Sequence, residues 1–531
     1  MSGKVVGIDL GTSNSVVSVV VNGQPMVIPD EDGYRLQPSV VSFLPDGNVL
    51  VGHKARDRKV LDPANTIYSV KRLIGRPFSS EEVNIAQTHY PYKVVKGYDN
   101  NPKVEVYGKQ YSPEGVSSML LRHMKQIAEN FLGMRVEKAV ITVPANFSES
   151  QRTATKMAGE MADMEVLRIL NEPTAAALAY GYGQSKREKV AIYDFGGGTF
   201  DITILDLRGN VFEVMSTAGN TYLGGDDFDN RLVDYMVAAF RNRFNYDLSG
   251  EVVALQRLKN IAEKVKVDLS VKDRVAVKIQ EIIPGSSDPV TLSFSITRQG
   301  FSERCSDIVK QTFLVCDEAL RLANLSSSEI DHVVLVGGTT RIPVVQELVK
   351  DYFFREPVGS VNPDEVVSVG AAVYADSISG GSTATGADVG GGEGGALLID
   401  VTPRGLGIAT VGGYFDPIIN RNENIPTERS RVFTTSRDNQ ESVRLEILEG
   451  ESKQAEDNQK LGELQLEGIR PAPRGEVEIE VTFEIDTNGI LNVSAVDRKT
   501  RRRQSARLHI AGLSNKAEEK RNLADLPSAQ S

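Results

Sequence analysis

No tryptophan occurs in the 531 residues, and only two cysteines and five histidines do. Two cysteines, Cys305 and Cys316, make no disulfide framework in a chain of this length, so a reducing cytoplasm is the expected compartment. His53, His89, His123, His332 and His509 are scattered and give no metal-ligand spacing. Positive charge is in deficit too: 60 Lys and Arg stand against 71 Asp and Glu, a formal net charge of -11, which argues against nucleic acid as a partner. The basic run TRRRQ at 500–504 reads as a solvated turn. No apolar stretch approaches the roughly 20 residues of a membrane span, so no membrane partner is expected. The opening MSGKVVGIDL starts directly on a strand pattern, without the plan of a signal peptide. A Walker loop, G-x-x-x-x-G-K-[ST], is also missing.

What is present is an alternation of strand and helix patterns up to residue 378. KAVITVPA (138–145) precedes the helical SESQRTATKMAGEMADM, and HVVLVGG (332–338) precedes RIPVVQELVKDYF. This alternation predicts an α/β domain over 1–378. The Gly-, Ser- and Thr-rich stretch that follows predicts a flexible linker over 379–401, ending in the apolar ALLID (396–400). Beyond it the period changes to two. In VEIEVTFEID, Val477, Ile479, Val481, Phe483 and Ile485 share one face and acids the other, TNG (487–489) is a turn, and ILNVSAV begins a new strand. An antiparallel β-domain is predicted over 402–511, with a short polar tail over 512–531 that frays.

Two glycine turns carry the chemistry. In YDFGGGTFDITIL (193–205) and GIDLGTSNSVVSV (7–19), a strand ends on an aspartate, a Gly- and Thr-containing turn follows, and a second strand continues. One such turn reads as a tight hairpin; two in one chain suggest duplicated halves that close on a phosphate chain from both sides. Asp9 and Asp194, each at a strand end, then suit a hydrated Mg²⁺, because a hard cation takes carboxylates and water. Thr12, Ser13 and Thr199 offer hydroxyls to phosphate oxygens. A third site, LVGGTTRIP (335–343), is equally an ordinary strand-to-helix turn.

The ordered set GIDLGTSNS, VITVPANFSESQR, ILNEPTAAALAYG, YDFGGGTFDITIL and VGGTTRIP closely resembles the seventy-kilodalton heat-shock chaperone family, over about residues 4–512. The resemblance implies an actin-like, ribonuclease-H-like duplicated ATPase domain followed by an all-β antiparallel sandwich. It implies an ATP-dependent chaperone that binds extended hydrophobic segments of unfolded proteins, with ATP or ADP, Mg²⁺ and K⁺ as bound groups. Asp9, Glu172, Asp194 and Asp201 match the water-mediated metal positions; Lys71, Glu172, Asp194 and Thr199 match the catalytic ones. Nucleotide contacts fall on Gly11, Thr12, Ser13, Gly196, Gly197, Gly198 and Thr199, and at the adenosine end on Glu263, Lys266, Ser270, Gly338 and Arg341. Glu263, Lys266 and Ser270 share one helix face, which alone reads equally as a solvated edge. Pro144, Arg152, Leu397, Leu398 and Asp400 match coupling positions, and Arg168 and Asn171 the docking place of a J-domain co-chaperone; a nucleotide-exchange factor is the other implied partner. The implied peptide groove takes Ile408, Thr410, Val411, Phe433, Thr434, Gln440, Val443 and Leu445, some of which a β-sandwich core also demands.

Three positions depart from the family pattern: Asn146 for an aromatic beside Pro144, Arg404-Gly405 for a Leu-Ser pair, and Ser436 for a small apolar residue facing Val411. The tail is too short for the family's helical lid, so an uncovered groove with micromolar or weaker peptide affinity is expected, about -8 kcal/mol or less favourable. Two other readings stay open: a regulatory or scaffold member that binds nucleotide and cycles poorly, and a small-metabolite kinase on the same scaffold.

Overall fold

The computed structural model describes residues 4–181, 186–248, 250–280, 291–359, 361–379, 396–501 and 503–505. The expected tail, 512–531, and most of the expected linker, 380–395, lie outside them.

Two sheets with the same plan build the N-terminal region. In the first, β1 (Val5–Asp9), β2 (Asn14–Val21) and β3 (Gln24–Val27) form an antiparallel meander. After α1 (Pro113–Leu132), β4 (Lys138–Val143) joins the free side of β1 in parallel; α2 (Glu149–Met161) and β5 (Glu165–Asn171) extend that edge, and α3 (Glu172–Gly181) follows. The second sheet repeats the meander with β6 (Arg187–Phe195), β7 (Phe200–Arg208) and β8 (Val211–Asn220). Helices α4 (Gly225–Phe244), α5 (Val252–Val271) and α6 (Arg298–Leu322) intervene, and β9 (His332–Val336) joins β6 in parallel. The duplication inferred from the two glycine turns is therefore present in the sheet topology: each turn joins the first two strands of its meander. Helices α7 (Pro343–Phe353) and α8 (Val366–Ile378) close the region.

Each half has its own apolar core, one around Ile8, Val19 and Ile141, the other around Phe195, Phe228 and Phe301. A third core joins them, made of Ala175, Leu178, Val190, Ile192, Val334 and Ala371. Helix α8 crosses here at glycine contacts: a Cβ on Gly370 would collide with the Ala175 carbonyl of α3, and one on Gly7 with the Ala372 backbone. Cys305 and Cys316 both lie on α6, free and buried.

The apolar end of the expected linker is a strand. β10 (Leu397–Val401) pairs in parallel with β8, Leu397 beside Val211 and Ile399 beside Glu213, and Leu398 and Val401 pack into the joining core. The unpaired edge of β8 offers backbone hydrogen bonds and apolar cover, so a short apolar run docks there instead of staying flexible. The β-domain that follows is a sandwich. One sheet runs β12 (Tyr414–Ile419), β11 (Leu406–Thr410), β14 (Ser442–Glu449), β15 (Gln459–Glu467). The other runs β13 (Thr427–Thr434), β16 (Glu478–Ile485), β17 (Leu491–Asp497) and then Arg503–Ser505. Val477, Ile479, Val481, Phe483 and Ile485 are all buried between the sheets, as their alternation requires. Among the described residues no helix is long and apolar enough to cross a membrane.

Candidate functional site

The two glycine turns meet in the cleft between the halves. Asp9, Gly11, Thr12, Ser13, Lys71, Glu172, Asp194, Gly196, Gly197, Thr199 and Gly338 line one cavity there. Two of the three consecutive glycines answer to close approach. A Cβ on Gly197 would collide with Ser13 Oγ of the opposite turn, and one on Gly198 would lie 2.5 Å from Arg72 Nε. Gly196 has only ordinary neighbours, the nearest at 3.6 Å, so space alone does not demand it. The turn's carbonyls are satisfied by the start of α4 and by the third glycine motif: Gly225 N donates to Gly196 O (3.0 Å), Asp226 N to Gly197 O (2.8 Å) and Thr339 Oγ1 to Gly196 O (2.9 Å).

Four carboxylates and one lysine define the electrostatics. Lys71 Nζ donates to Glu172 Oε1 at 2.6 Å, both side chains buried. Burial, with the charge of Glu172, pushes Asp9 up to about 7 although Lys71 and a hydrogen bond from Thr142 oppose it. Asp201 is likewise pushed up to about 7 by burial and Glu172, and Asp194 is held well above its ordinary range by burial and its three acidic neighbours. Burial pulls Lys71 down, but Glu172 and Asp9 outweigh it, so the ammonium holds its proton more tightly than usual. A buried acidic set with one cation lacks positive charge. Among the described residues no three His, Cys, Asp or Glu side chains are close enough to cage a metal directly. An oxygen-only donor set of this kind fits a divalent ion that keeps its water shell.

A second cavity adjoins the first and shares Thr12, Ser13 and Asn14 with it; Glu263 and Lys266 line it. Lys266 Nζ reaches Asp229 Oδ2 (2.8 Å) and Gly225 O (3.1 Å), which ties α5 to α4 beneath the glycine turn. Ser270 stands apart: its hydroxyl donates to Lys266 O, one turn back on its own helix. Arg341 lines the neighbouring groove instead, held by Asp364 at 2.6 Å, and Asp364 in turn lines the first cavity.

Sequence reasoning missed Thr142, Arg72, Asp226 and Asp229, and treated Asn146 only as a departure. Thr142 donates to Asp9 Oδ1 at 3.0 Å, and Asn146 Nδ2 donates to Asp201 Oδ1. Arg72 pairs with Asp226 at 3.3 Å across the cleft and stacks over Tyr222. GGDDFD (224–229), a helix start crowded with acids, was the legible signal for Asp226 and Asp229; the others lie in a strand, a short 3-10 turn and a loop with no pattern of their own.

Arg152, Arg168, Asn171 and Asp400 cluster where the β-domain meets the first half, whereas Leu397 and Leu398 lie against β8 of the second. Asp400 on β10 accepts from Asn171 Nδ2 (2.7 Å) and Thr174 Oγ1 (3.2 Å). Asn171, matched above to a J-domain surface, is thus 4% exposed and committed to the linker aspartate. Arg168 lies over the Tyr374 ring, and its Nε has no hydrogen-bond partner among the described residues. Buried Arg152 donates to Phe147 O (3.1 Å) and Ala145 O (2.9 Å), bracing the turn that begins at Pro144. Arg404 shares a crevice with Glu149, Arg152 and Glu449, where its charge opposes the burial that raises Glu449. Glu149 N donates to Glu449 Oε2 (3.3 Å), Ile169 N to Asn488 Oδ1 (3.2 Å), and Arg421 pairs with Glu318 (2.6 Å).

The groove positions divide. Ile408 and Leu445 are buried in the sandwich core, with Phe433 and Val443 packed against it. Val411 is 84% exposed and Thr434 is exposed. Thr410 Oγ1 donates to Tyr414 O (3.1 Å), and Gln440 braces the loop at Ser436, accepting from Ser436 N (3.0 Å). A family model described as Hsp70 protein matches residues 5–529.

Proposed function

The chain belongs to the Hsp70 family, a family of ATP-hydrolysing chaperones, and on that premise we propose that it couples ATP hydrolysis in the interlobe cleft to the binding of extended, apolar polypeptide in the β-domain. The observation that carries this reading is the meeting of the two glycine turns, Gly197 against Ser13, over the Lys71–Glu172 pair. Phosphoryl transfer asks for positioning and charge stabilisation more than covalent chemistry. Thr12, Ser13 and Thr199 give hydroxyls to the phosphate oxygens from opposite sides. Lys71 neutralises charge that develops on the terminal phosphoryl group, and Glu172 fixes its position. Asp194 accepts the proton of the attacking water. Asp9, Glu172, Asp194 and Asp201 would hold Mg²⁺ through its water, and the ion would supply the counter-charge that this buried acidic set lacks. Glu263 and Lys266 serve the adenosine end.

The docked β-domain is one of two states. In this reading ATP favours docking through β10 and the Asp400–Asn171 contact, and hydrolysis releases it, so nucleotide and peptide change each other's affinity reciprocally. The peptide adds to the β-domain as a strand, with exposed Val411 over it. Arg168, with its unsatisfied Nε, is the better candidate of the two for a J-domain contact, and an exchange factor acts on the nucleotide-bound lobes.

Single-turnover ATP hydrolysis, with and without an extended leucine-rich peptide, tests the reading. Peptide is expected to accelerate turnover. Hydrolysis indifferent to peptide would leave a nucleotide-binding scaffold, and transfer of phosphate to a sugar would make the chain a kinase.

A further inference from the structure

Asn146 lies in the turn between β4 and α2 and is 7% exposed. Its Nδ2 donates to Asp201 Oδ1. Asp201 belongs to β7, in the other half of the ATPase region, so the contact bridges the cleft. Room for it is kept by Gly219, where a Cβ would collide with both Asn146 Nδ2 and Asp201 Oδ1. The same strand and turn hold a second acid of the site through Thr142 and Asp9, at 3.0 Å. From the other side, Arg152 clamps the turn's carbonyls at Ala145 and Phe147, and Arg152 itself lines the crevice against Thr402, Arg404 and Gly489 of the β-domain. One short segment therefore touches the acidic cleft at one end and the β-domain at the other.

We propose that Asn146 is a positioning residue for the metal–phosphate site, pinning one oxygen of Asp201 so that the other faces the water shell of a bound divalent ion. The choice of residue has a chemical reason. A neutral amide donates a hydrogen bond without bringing a cation that would compete for the carboxylate, and outer partners of this kind orient groups around a metal. The backbone clamp by Arg152 makes the position of the amide depend on the β-domain's contact with α2. This inference rests on the ATPase reading above.

The test uses the full chain with Asn146→Ala and the near-isosteric Asn146→Leu. ADP affinity is measured by calorimetry with Mg²⁺ and with EDTA, and single-turnover hydrolysis alongside. The expected result is that the gain in affinity due to Mg²⁺ shrinks about 10-fold in both variants, while affinity in EDTA stays within about twofold of wild type. Hydrolysis slows by about the same factor of 10. A gain from Mg²⁺ that stays at the wild-type level, or an equal loss with and without Mg²⁺, overturns the proposal, since the second is what general damage to the cleft produces. If the alanine variant does not fold, the leucine variant decides. Wild-type protein that takes up no ADP removes the ATPase reading and this inference together; wild-type uptake with unaltered variants removes the inference alone.

Discussion

Lys71 Nζ sits 2.6 Å from Glu172 Oε1, and the two side chains are only 7% and 9% exposed. Among the described residues, Lys71 is the one lysine lining a cavity that also holds Asp9, Glu172 and Asp194. Lys71→Met keeps the length and removes the charge. It is expected to slow single-turnover hydrolysis about 10²- to 10³-fold, the usual cost of one preorganised stabilising group. ATP binding by calorimetry should fall far less. Equal losses in both would return Lys71 to a structural role.

Asp400 accepts from both Asn171 and Thr174 and is 8% exposed. Asp400→Ala leaves the Asn171 amide buried and unpaired, at a cost of about 1–3 kcal/mol to the docked state. That cost shifts docking by about 5- to 150-fold. The expected outcome is faster hydrogen exchange at 397–401 in the presence of ATP, and loss of peptide-stimulated hydrolysis. Exchange protection identical to wild type would show that the contact does not hold the linker strand.

Glu149 on α2 and Glu449 on β14 face each other across the domain interface, with Arg152, Arg404 and Thr153 around them. Burial, then the charge of Glu449, pushes Glu149 up to about 8 in this arrangement, although the Leu491 backbone, Thr153 and Arg152 oppose the shift. Undocked and solvated, it returns toward the ordinary 4.5 or so. The docked state thus binds more protons. Its full stability is present below the undocked value and is lost as pH rises through the docked value. Exchange protection of 397–401 should therefore decline between about pH 5 and pH 8. Glu149→Gln should flatten that decline and strengthen docking at pH 8. A profile unchanged by the substitution would assign the dependence to other groups.

Gly370 packs its backbone onto Ala175, and an added Cβ has no space there without moving α8 from α3. Gly370→Ala is expected to destabilise the ATPase region by about 1–3 kcal/mol through overpacking. A calorimetric scan should show its transition lowered, with the β-domain transition unmoved. A neutral result would mean that the helices separate at little cost.

The duplication was legible because each half repeats a strand, an aspartate, a glycine turn and a strand within a dozen residues. The β-sandwich was legible at Val477–Ile485, where a strict period of two leaves one face to bury. Lys71 was legible only through family resemblance, since a lysine beside an arginine carries no local sign of burial. Thr142 and Arg72 had no sign at all and Asn146 only its departure from the family pattern: their roles depend on partners 133, 154 and 55 positions away (Asp9, Asp226 and Asp201). Ile408 and Leu445 illustrate the reverse case, since apolar residues on alternating strands suit a groove and a core equally until the second sheet is in place.

The amino-acid sequence by itself determined the two halves, the position of the glycine turns, the β-domain and the acidic, cysteine-poor character of the chain, because periodicity and turn chemistry act over a few residues. Only the tertiary structure decided that the turns face each other, that Lys71 is buried against Glu172, that the apolar linker end becomes a strand beside β8, and that Asn171 belongs to Asp400. Those outcomes follow from the closure of the cleft and the docking of a sheet edge, where groups remote in sequence exchange water for one another.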